Sequence, residues 1–389
     1  MKKSLLITLD FLPARGGVSA YYTNLCASLP RGSIAVLAPA GDPKQTELLD
    51  RTLPYPVIRS EALAKFLTIT AASSLSPSRL TGKLIYRQII AEIDTLVKRQ
   101  GIGLLHAGQI LPLGTAAMLY GRLPYVVYLH GLDILATQRS LRKKMVARGV
   151  LRKATAIITN SHFTADAAMD AGAEKEKITV VYPCPNITAT DVPEWLADDL
   201  SEKLHLSGKR IVLAVGRLVK RKGFDLLISA LPEVLKRHGD LRLVIVGSGP
   251  EAPGLYQQIN QLAVRDYVSI VQHATNDELA ALYELSDVFA LPARRLGYDV
   301  EGFGIVYLEA NLFGKPVIGT KTGGIPEAIV DGKTGILIDE NDADALASAI
   351  ARLLDNPSLA TRLGIQGMQR VAEQFTWQSQ VEKIKPLLQ

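Results

Sequence analysis

The sequence predicts an α/β protein built from two doubly wound, Rossmann-like domains. Three observations carry that expectation. The chain has 389 residues, more than a single hydrophobic core commonly organises. Short, continuously apolar runs alternate with amphipathic segments along most of it, the pattern of parallel strands covered by helices on both faces. The alternation pauses once, in a proline-containing, acid-rich stretch that begins near Pro183, and then restarts, as at a boundary between domains.

In the first half, SLLITLDF, IAVLAP, GLLHAG, YVVYLHG, TAIITNS and ITVVYP read as buried strands. Segments such as Ser19 to Leu29 and Arg139 to Lys153 have helical character. The opening MKKSLLITLDFLP imitates a signal peptide, but its apolar stretch is short, Asp10 interrupts it and no small-residue cleavage site follows. A first buried strand accounts for it better. In the second half, RIVLAVGR, LRLVIVGS, VSIVQ, DVFALP, PVIGT and GILID continue the pattern. The expected domains are 1–188 and 205–373, with a linker between them. Ligands of such sheets bind beyond the carboxyl ends of the strands, so a cleft between the two sheets is the expected site.

Composition narrows the function classes. With 48% hydrophobic and 21% charged residues, the chain is neither disordered nor of low complexity. No long uncharged apolar run is present, so no membrane span is expected. The two cysteines, Cys26 and Cys184, have no metal-binding spacing and read as free thiols of a reducing, cytoplasmic compartment. The net charge of +6 is uneven: residues 1–188 hold 23 Lys and Arg against 12 Asp and Glu, the remainder 21 against 26. A basic first half suits a phosphorylated acceptor or an anionic lipid surface, or serves solubility alone. No nucleic-acid partner is expected.

The chemistry concentrates in EGFGIVYLEANLFGKPVIGTKTGG, Glu301 to Gly324. A helix is expected from about Gly304 to Phe313, stopped by Gly314 and Pro316. Glycines at its start let free N–H groups approach an anion closely, where the helix dipole favours negative charge. Glu309 could accept two hydrogen bonds from a ribose diol, and Glu301 could do the same for a hexose hydroxyl; acidic residues in the first turns of a helix are the plain alternative. In LAVGRLVKRKGFDLL, Arg217 and Lys222 follow a strand and suit a diphosphate, Arg as a fork and Lys as a point charge. Lys220 and Arg221 read as a solvated loop. Gly16 and Gly17 follow the first strand and would let backbone approach the same phosphates. His130 ends YVVYLHG and is expected to face the cleft, with Asp133 capping the next helix.

Other patterns are set aside. GSGPEA at Gly247 matches a dinucleotide fingerprint without the acid expected after the next strand; a helix start with Pro250 in its first turn is the better reading. The D-x-D at Asp342 to Asp344 reads as a helix cap rather than a metal site. Ser161 lacks a nucleophile elbow.

Together VGRLVKRKGFDLLI, LVIVGSGP, DVFALPA, the Glu301 segment, DGKTGILI and the late FTW, with FLPARGGVSAY, HGLD and TNSHFTADAA, resemble family 4 of the retaining glycosyltransferases, with the GT-B fold. The resemblance implies that Glu301 contacts the donor hexose, with backbone amides near Phe303 and Gly304. It implies that Glu309 holds the ribose, that amides of Ile305 and Val306 face the phosphates, and that Arg217 and Lys222 bind the diphosphate. His130 would lie near the reacting sugar. The base would sit near Gln272, His273 and Ala274, where the family usually has glycine. The segment 374–389 would return to the first domain. No metal or other cofactor is implied.

GYDVEGFGIVYLEA further resembles mannosyltransferases that use GDP-mannose on phosphatidylinositol mannosides, which favours GDP-mannose over UDP-sugars. A glycan or lipid-linked acceptor would follow. The basic helix RSLRKKMVARGVLRK could touch anionic headgroups on the inner face of the cell membrane. A sugar-nucleotide epimerase and a non-catalytic nucleotide-sugar sensor share this architecture and remain the rivals; a phosphorylase would need a lysine-bound pyridoxal phosphate.

Overall fold

A computed structural model describes residues 3–14, 16–72, 79–187 and 192–388. Two compact units emerge: Met1–Pro183 together with Trp377–Gln389, and Cys184–Thr376. Arg15 and residues 188–191 of the expected linker lie outside the described residues.

Unit 1 holds a parallel sheet of β1 (Lys3–Ile7), β2 (Ile34–Pro39), β3 (Val57–Ser60), β4 (Ile102–Ala107), β5 (Tyr125–Leu129), β6 (Ala156–Thr159) and β7 (Ile178–Val180), in the order β3-β2-β1-β4-β5-β6-β7. The six strands read from the sequence are present. The short, half-polar β3 was not anticipated, because four residues that include Arg59 carry no apolar run. Alternate side chains of the central strands feed two cores, one on each face. Leu5, Ile7, Leu105 and Val127 point to one, and Leu6, Leu104, Val126 and Tyr128 to the other.

Unit 2 repeats the plan with β8 (Arg210–Val215), β9 (Leu241–Val246), β10 (Val268–Val271), β11 (Val288–Ala290), β12 (Val317–Thr320) and β13 (Gly335–Ile338), in the order β10-β9-β8-β11-β12-β13. Each strand coincides with a run read from the sequence. In both sheets the order reverses beside the first strand of the unit, which opens a crevice at the carboxyl ends of β1 and β4, and of β8 and β11.

Two segments differ from expectation. The stretch expected as linker contains a helix, Glu194–Lys203, which buries Leu196 and Leu200 and packs against the helix Asn276–Leu285. Its acids occupy the solvent face, which is why the stretch reads as polar linker. While the separate helix Pro357–Gln374 lies in unit 2, the segment 374–389, expected as one helix, is instead a short helix, Trp377–Glu382, and the turn Lys385–Leu388, both part of unit 1. There Val381, Ile384 and Leu388 join the core around Tyr21 and Tyr22, and Gln380 accepts the backbone N–H of Tyr182 at 2.9 Å.

Candidate functional site

In unit 2 Arg217 and Lys222 follow β8 and the Glu301–Glu309 segment follows β11, while Gln272, His273 and Ala274 follow the edge strand β10. The helix expected after the Gly302 turn is present as Ile305–Leu312, with Gly304 before it and Phe313 after it. Gly304 has φ +94°, and a Cβ there would sit 2.6 Å from the ring of Tyr307, so only glycine makes this turn. The first N–H groups of a helix have no acceptor within it; those of Ile305 and Val306 occupy that position.

Gly323, at φ +56°, and Gly324 lie directly on the preceding turn. A Cβ on Gly323 would be 2.1 Å from the carbonyl of Glu301, and one on Gly324 equally close to that of Gly302. The N–H of Gly324 donates to the Glu301 carbonyl at 3.0 Å. Two backbone segments about twenty residues apart are thus locked together with no side chain between them, and the position of Glu301 follows.

The carboxylate of Glu301 is the hub of an ion cluster. Its Oε2 lies 2.6 Å from Lys222 Nζ and 2.5 Å from Arg221 Nη1. Arg221 Nε reaches Asp299 at 3.0 Å. Burial works to raise the Glu301 pKa, but Lys222 and Arg221 overcome it and hold the group at about 2, so it is ionised at any physiological pH. Lys222 is buried, its stem packed beside Gly216. The reading of Arg221 as a solvated cation is therefore corrected: its guanidinium bridges Glu301 and Asp299. The run KRK looks like solvent-facing charge because both partners lie some eighty residues away in sequence.

Glu309, one turn into the helix, is buried. It accepts the Tyr283 hydroxyl at 3.1 Å and the N–H of Asn186. Burial raises its pKa, against those hydrogen bonds and the charge of Lys222. Arg217 is exposed after β8. The side chain of Phe303 is buried against Phe375, ring centroids 5.8 Å apart, so only its backbone can serve a ligand. Gln272 and His273 are exposed and Ala274 is half-buried in the loop between β10 and the helix at Asn276.

The glycines set aside as a fingerprint have a packing role. A Cβ on Gly247 would fall 1.9 Å from the carbonyl of Gly216, and one on Gly249 would be 2.4 Å from that of Leu218. They let the loop after β9 support the loop that carries Arg217. Pro250 precedes the helix Ala252–Gln261, and Pro253 occupies its first turn instead. Asp342 caps its helix through the N–H of Ala345 at 2.8 Å. No group of three or more His, Cys, Asp and Glu among the described residues is arranged to hold a metal ion.

In unit 1 the corresponding strand ends carry a cluster of aromatic rings with two carboxyl groups, Asp10 and Asp133, beside it. Gly16 and Gly17 open the helix Gly17–Ser28, with open space where a Cβ would stand. Tyr22 of that helix reaches across to β4 and β5. Its hydroxyl lies 2.5 Å from the carbonyl of Gly108 and 2.7 Å from His130 Nε2. Tyr21 and Tyr22 meet the His130 ring edge-on at 5.2 and 5.3 Å. Burial lowers the His130 pKa to about 4, so the ring is neutral. Asp133 accepts the His130 N–H at 2.8 Å, holding the backbone beneath the ring; it lies in the first turn of the helix Leu132–Thr137, and Gly131 rather than Asp133 occupies the cap position. Beside them Gln109 Nε2 donates to Asp10 at 2.5 Å. Tyr22, Gly108 and Gln109 were not anticipated; an apolar helix face and a strand-end glycine give no signal in sequence.

Comparison with known proteins places this arrangement. Residues 15–188 match the family "Glycosyltransferase Family 4" and residues 197–370 match "Glycosyl transferases group 1". A protein of Mycolicibacterium smegmatis, named GDP-mannose-dependent alpha-(1-6)-phosphatidylinositol monomannoside mannosyltransferase, is 31% identical over 99% of this chain and 97% of its own length. A Corynebacterium glutamicum protein, named for the monoacylated form of that acceptor, is 29% identical over 100% and 98%. Among solved structures, sucrose-phosphate synthase of Thermosynechococcus elongatus superposes with a TM-score of 0.80 at 23% identity, over 100% of this chain and 98% of that one. HepE of Anabaena, in complex with UDP and glucose, superposes with 0.78 at 22%, over 100% and 99%. The chain belongs to the family 4 glycosyltransferases and has the GT-B fold. Among the described residues no helix is long and apolar enough to cross a membrane.

Proposed function

We propose that this glycosyltransferase moves a hexose, mannose from GDP-mannose, onto a hydroxyl of a glycan or lipid-linked acceptor with retention at the anomeric carbon. The observation that carries the reading is the Lys222–Glu301 pair beside a glycine-opened helix whose next turn buries Glu309. The names of the 31% and 29% identical relatives support the choice of sugar and of a phosphoinositide-type acceptor.

The residues divide the work by charge. As the anomeric C–O bond breaks, its electron pair goes to the departing diphosphate. Lys222, Arg217 and the N–H groups of Ile305 and Val306 take up that charge. Glu301, held ionised by Arg221 as well as Lys222, accepts hydrogen bonds from hexose hydroxyls; a carboxylate with its pKa near 2 donates no proton. Glu309 takes the ribose diol. His130 contacts a substrate hydroxyl. The acceptor oxygen attacks the face that the diphosphate leaves, and its proton passes to a leaving phosphate oxygen. With fixed cations on the leaving group the reaction needs no metal ion, so EDTA should leave turnover unchanged.

The basic helix Leu141–Lys153 fits contact with an anionic lipid surface. Leu141 and Met145, one turn apart, are 82% and 75% exposed among Arg142, Lys143, Lys144 and Arg148, with no acid in the helix.

The test is a panel of nucleotide sugars scored by thermal shift and by product analysis with lipid and soluble acceptors. GDP-mannose should give the largest shift and the only efficient transfer. Preference for a UDP-sugar would replace the donor assignment; that second reading draws on the UDP-bound structural relative. Donor binding without transfer to any acceptor would overturn the acceptor assignment.

A further inference from the structure

The Tyr22 hydroxyl sits between two groups and has one proton to give. The carbonyl of Gly108, at 2.5 Å, can only accept. The Tyr22 proton is therefore committed there, and the contact of 2.7 Å to His130 Nε2 must be made by a proton on the imidazole. We propose that Tyr22, anchored on Gly108, is a positioning residue that fixes His130 as the Nε2-protonated neutral tautomer, so that Nδ1 offers a lone pair and accepts a hydrogen bond from a substrate hydroxyl. The last clause rests on the reading of His130 as substrate-facing; the tautomer itself does not.

The surroundings leave the ring little freedom. Tyr21 and Tyr22 close on it edge-to-face, with interplanar angles of 81° and 84°. Asp133 and Asn160 hold its backbone, at the N–H (2.8 Å) and the carbonyl (3.3 Å). Tyr22 is fully buried, and burial raises its pKa well above the ordinary value, so it stays protonated. A hydroxyl is the ligand chemistry that suits the free nitrogen: it donates to a lone pair, whereas a phosphate oxygen needs a donor and would meet repulsion. The geometry thus assigns His130 an accepting role toward a sugar or acceptor O–H, and excludes donation from the side chain to the leaving group.

The test uses full-length protein labelled with 15N in histidine. Long-range proton–nitrogen correlations report which ring nitrogen of His130 is protonated, the resonances being assigned by their loss in His130→Gln. The unmodified protein should show a single neutral tautomer, protonated at Nε2. Tyr22→Phe, which keeps the ring and its packing, should give a mixture of tautomers and lower kcat by about three- to tenfold, the worth of one hydrogen bond, with the KM for donor little changed. A His130 protonated at Nδ1, or a tautomer unchanged in Tyr22→Phe, overturns the positioning role whatever the activity. An Nε2-protonated ring that Tyr22→Phe releases, in a protein whose His130→Gln variant turns over normally, supports the tautomer lock and sinks the substrate-facing reading instead. A donor analogue lacking the contacted hydroxyl should lose the Tyr22→Phe penalty.

Discussion

The strand ends of the two units solve different problems. In unit 2 the cluster is ionic: Lys222 and Arg221 converge on one oxygen of Glu301, and Arg221 reaches on to Asp299. In unit 1 it is aromatic and neutral: Tyr21, Tyr22 and His130 pack edge-to-face, and burial keeps the imidazole uncharged. One end has its charges in place before any ligand arrives. The other offers directed hydrogen bonds from uncharged rings, with the carboxyls of Asp10 and Asp133 beside them. In the proposed reading the first suits a departing diphosphate, which gains negative charge, and the second suits hydroxyl groups. The same fold supplies each environment from different loop residues.

The largest effect that would sharpen this contrast is expected from Lys222→Ala. Loss of a preorganised cation at the leaving group should lower kcat about 10² to 10³-fold, while Arg221 keeps Glu301 in place and the fold intact. A kcat within threefold of the unmodified protein would move the leaving-group site elsewhere. Next, Glu309→Ala should weaken binding of the free nucleoside diphosphate by roughly ten- to a hundredfold, the worth of charge-assisted hydrogen bonds, by calorimetry. Glu301→Ala should instead act mainly on transfer.

The contrast should also show in acid. His106 is fully buried in unit 1 on Tyr128, its Nδ1 at 2.9 Å from the hydroxyl, and burial lowers its pKa from the ordinary 6.5 to about 4. The unfolded chain takes up that proton first. Stability from keeping His106 neutral is thus complete above about pH 6.5 and drains away as pH falls toward 4. Between pH 7 and 4 the unmodified protein should lose about 3 kcal/mol more than His106→Gln, measured by urea unfolding of the unit 1 transition; equal losses would refute the assignment. Glu301 behaves differently: its contribution persists above the ordinary carboxylate range and fades only as pH drops through that range toward 2. The smallest effect is expected at the surface. Changing Leu141 and Met145 together to Ser should reduce sedimentation with vesicles rich in anionic lipid severalfold and leave turnover of a soluble acceptor analogue unchanged. Undiminished sedimentation would remove this helix from the membrane proposal.

What the sequence disclosed follows from how local each signal is. The strands of both sheets are continuous apolar runs, and the helix at Ile305 is bracketed by Gly304 and Gly314, so both are legible within a few residues. Glu301 and Glu309 were legible because the turn and the helix fix their spacing. Arg221 was not, since its partners at Asp299 and Glu301 meet it only in the folded sheet. Tyr22 and Gly108 give no signal for the same reason: a tyrosine on an apolar helix face announces packing, and only the seating of that helix against the ends of β4 and β5 brings its hydroxyl to His130. The helix Glu194–Lys203 reads as linker in sequence because its two buried leucines are few among its acids.

The glycine pair at 323 and 324 carries a consequence for anyone redesigning the enzyme. Since main chain there rests on main chain, with the carbonyls of Glu301 and Gly302 filling the room a methyl would need, no residue library at these two sites can retune sugar choice. The glycines belong among the positions a library leaves untouched.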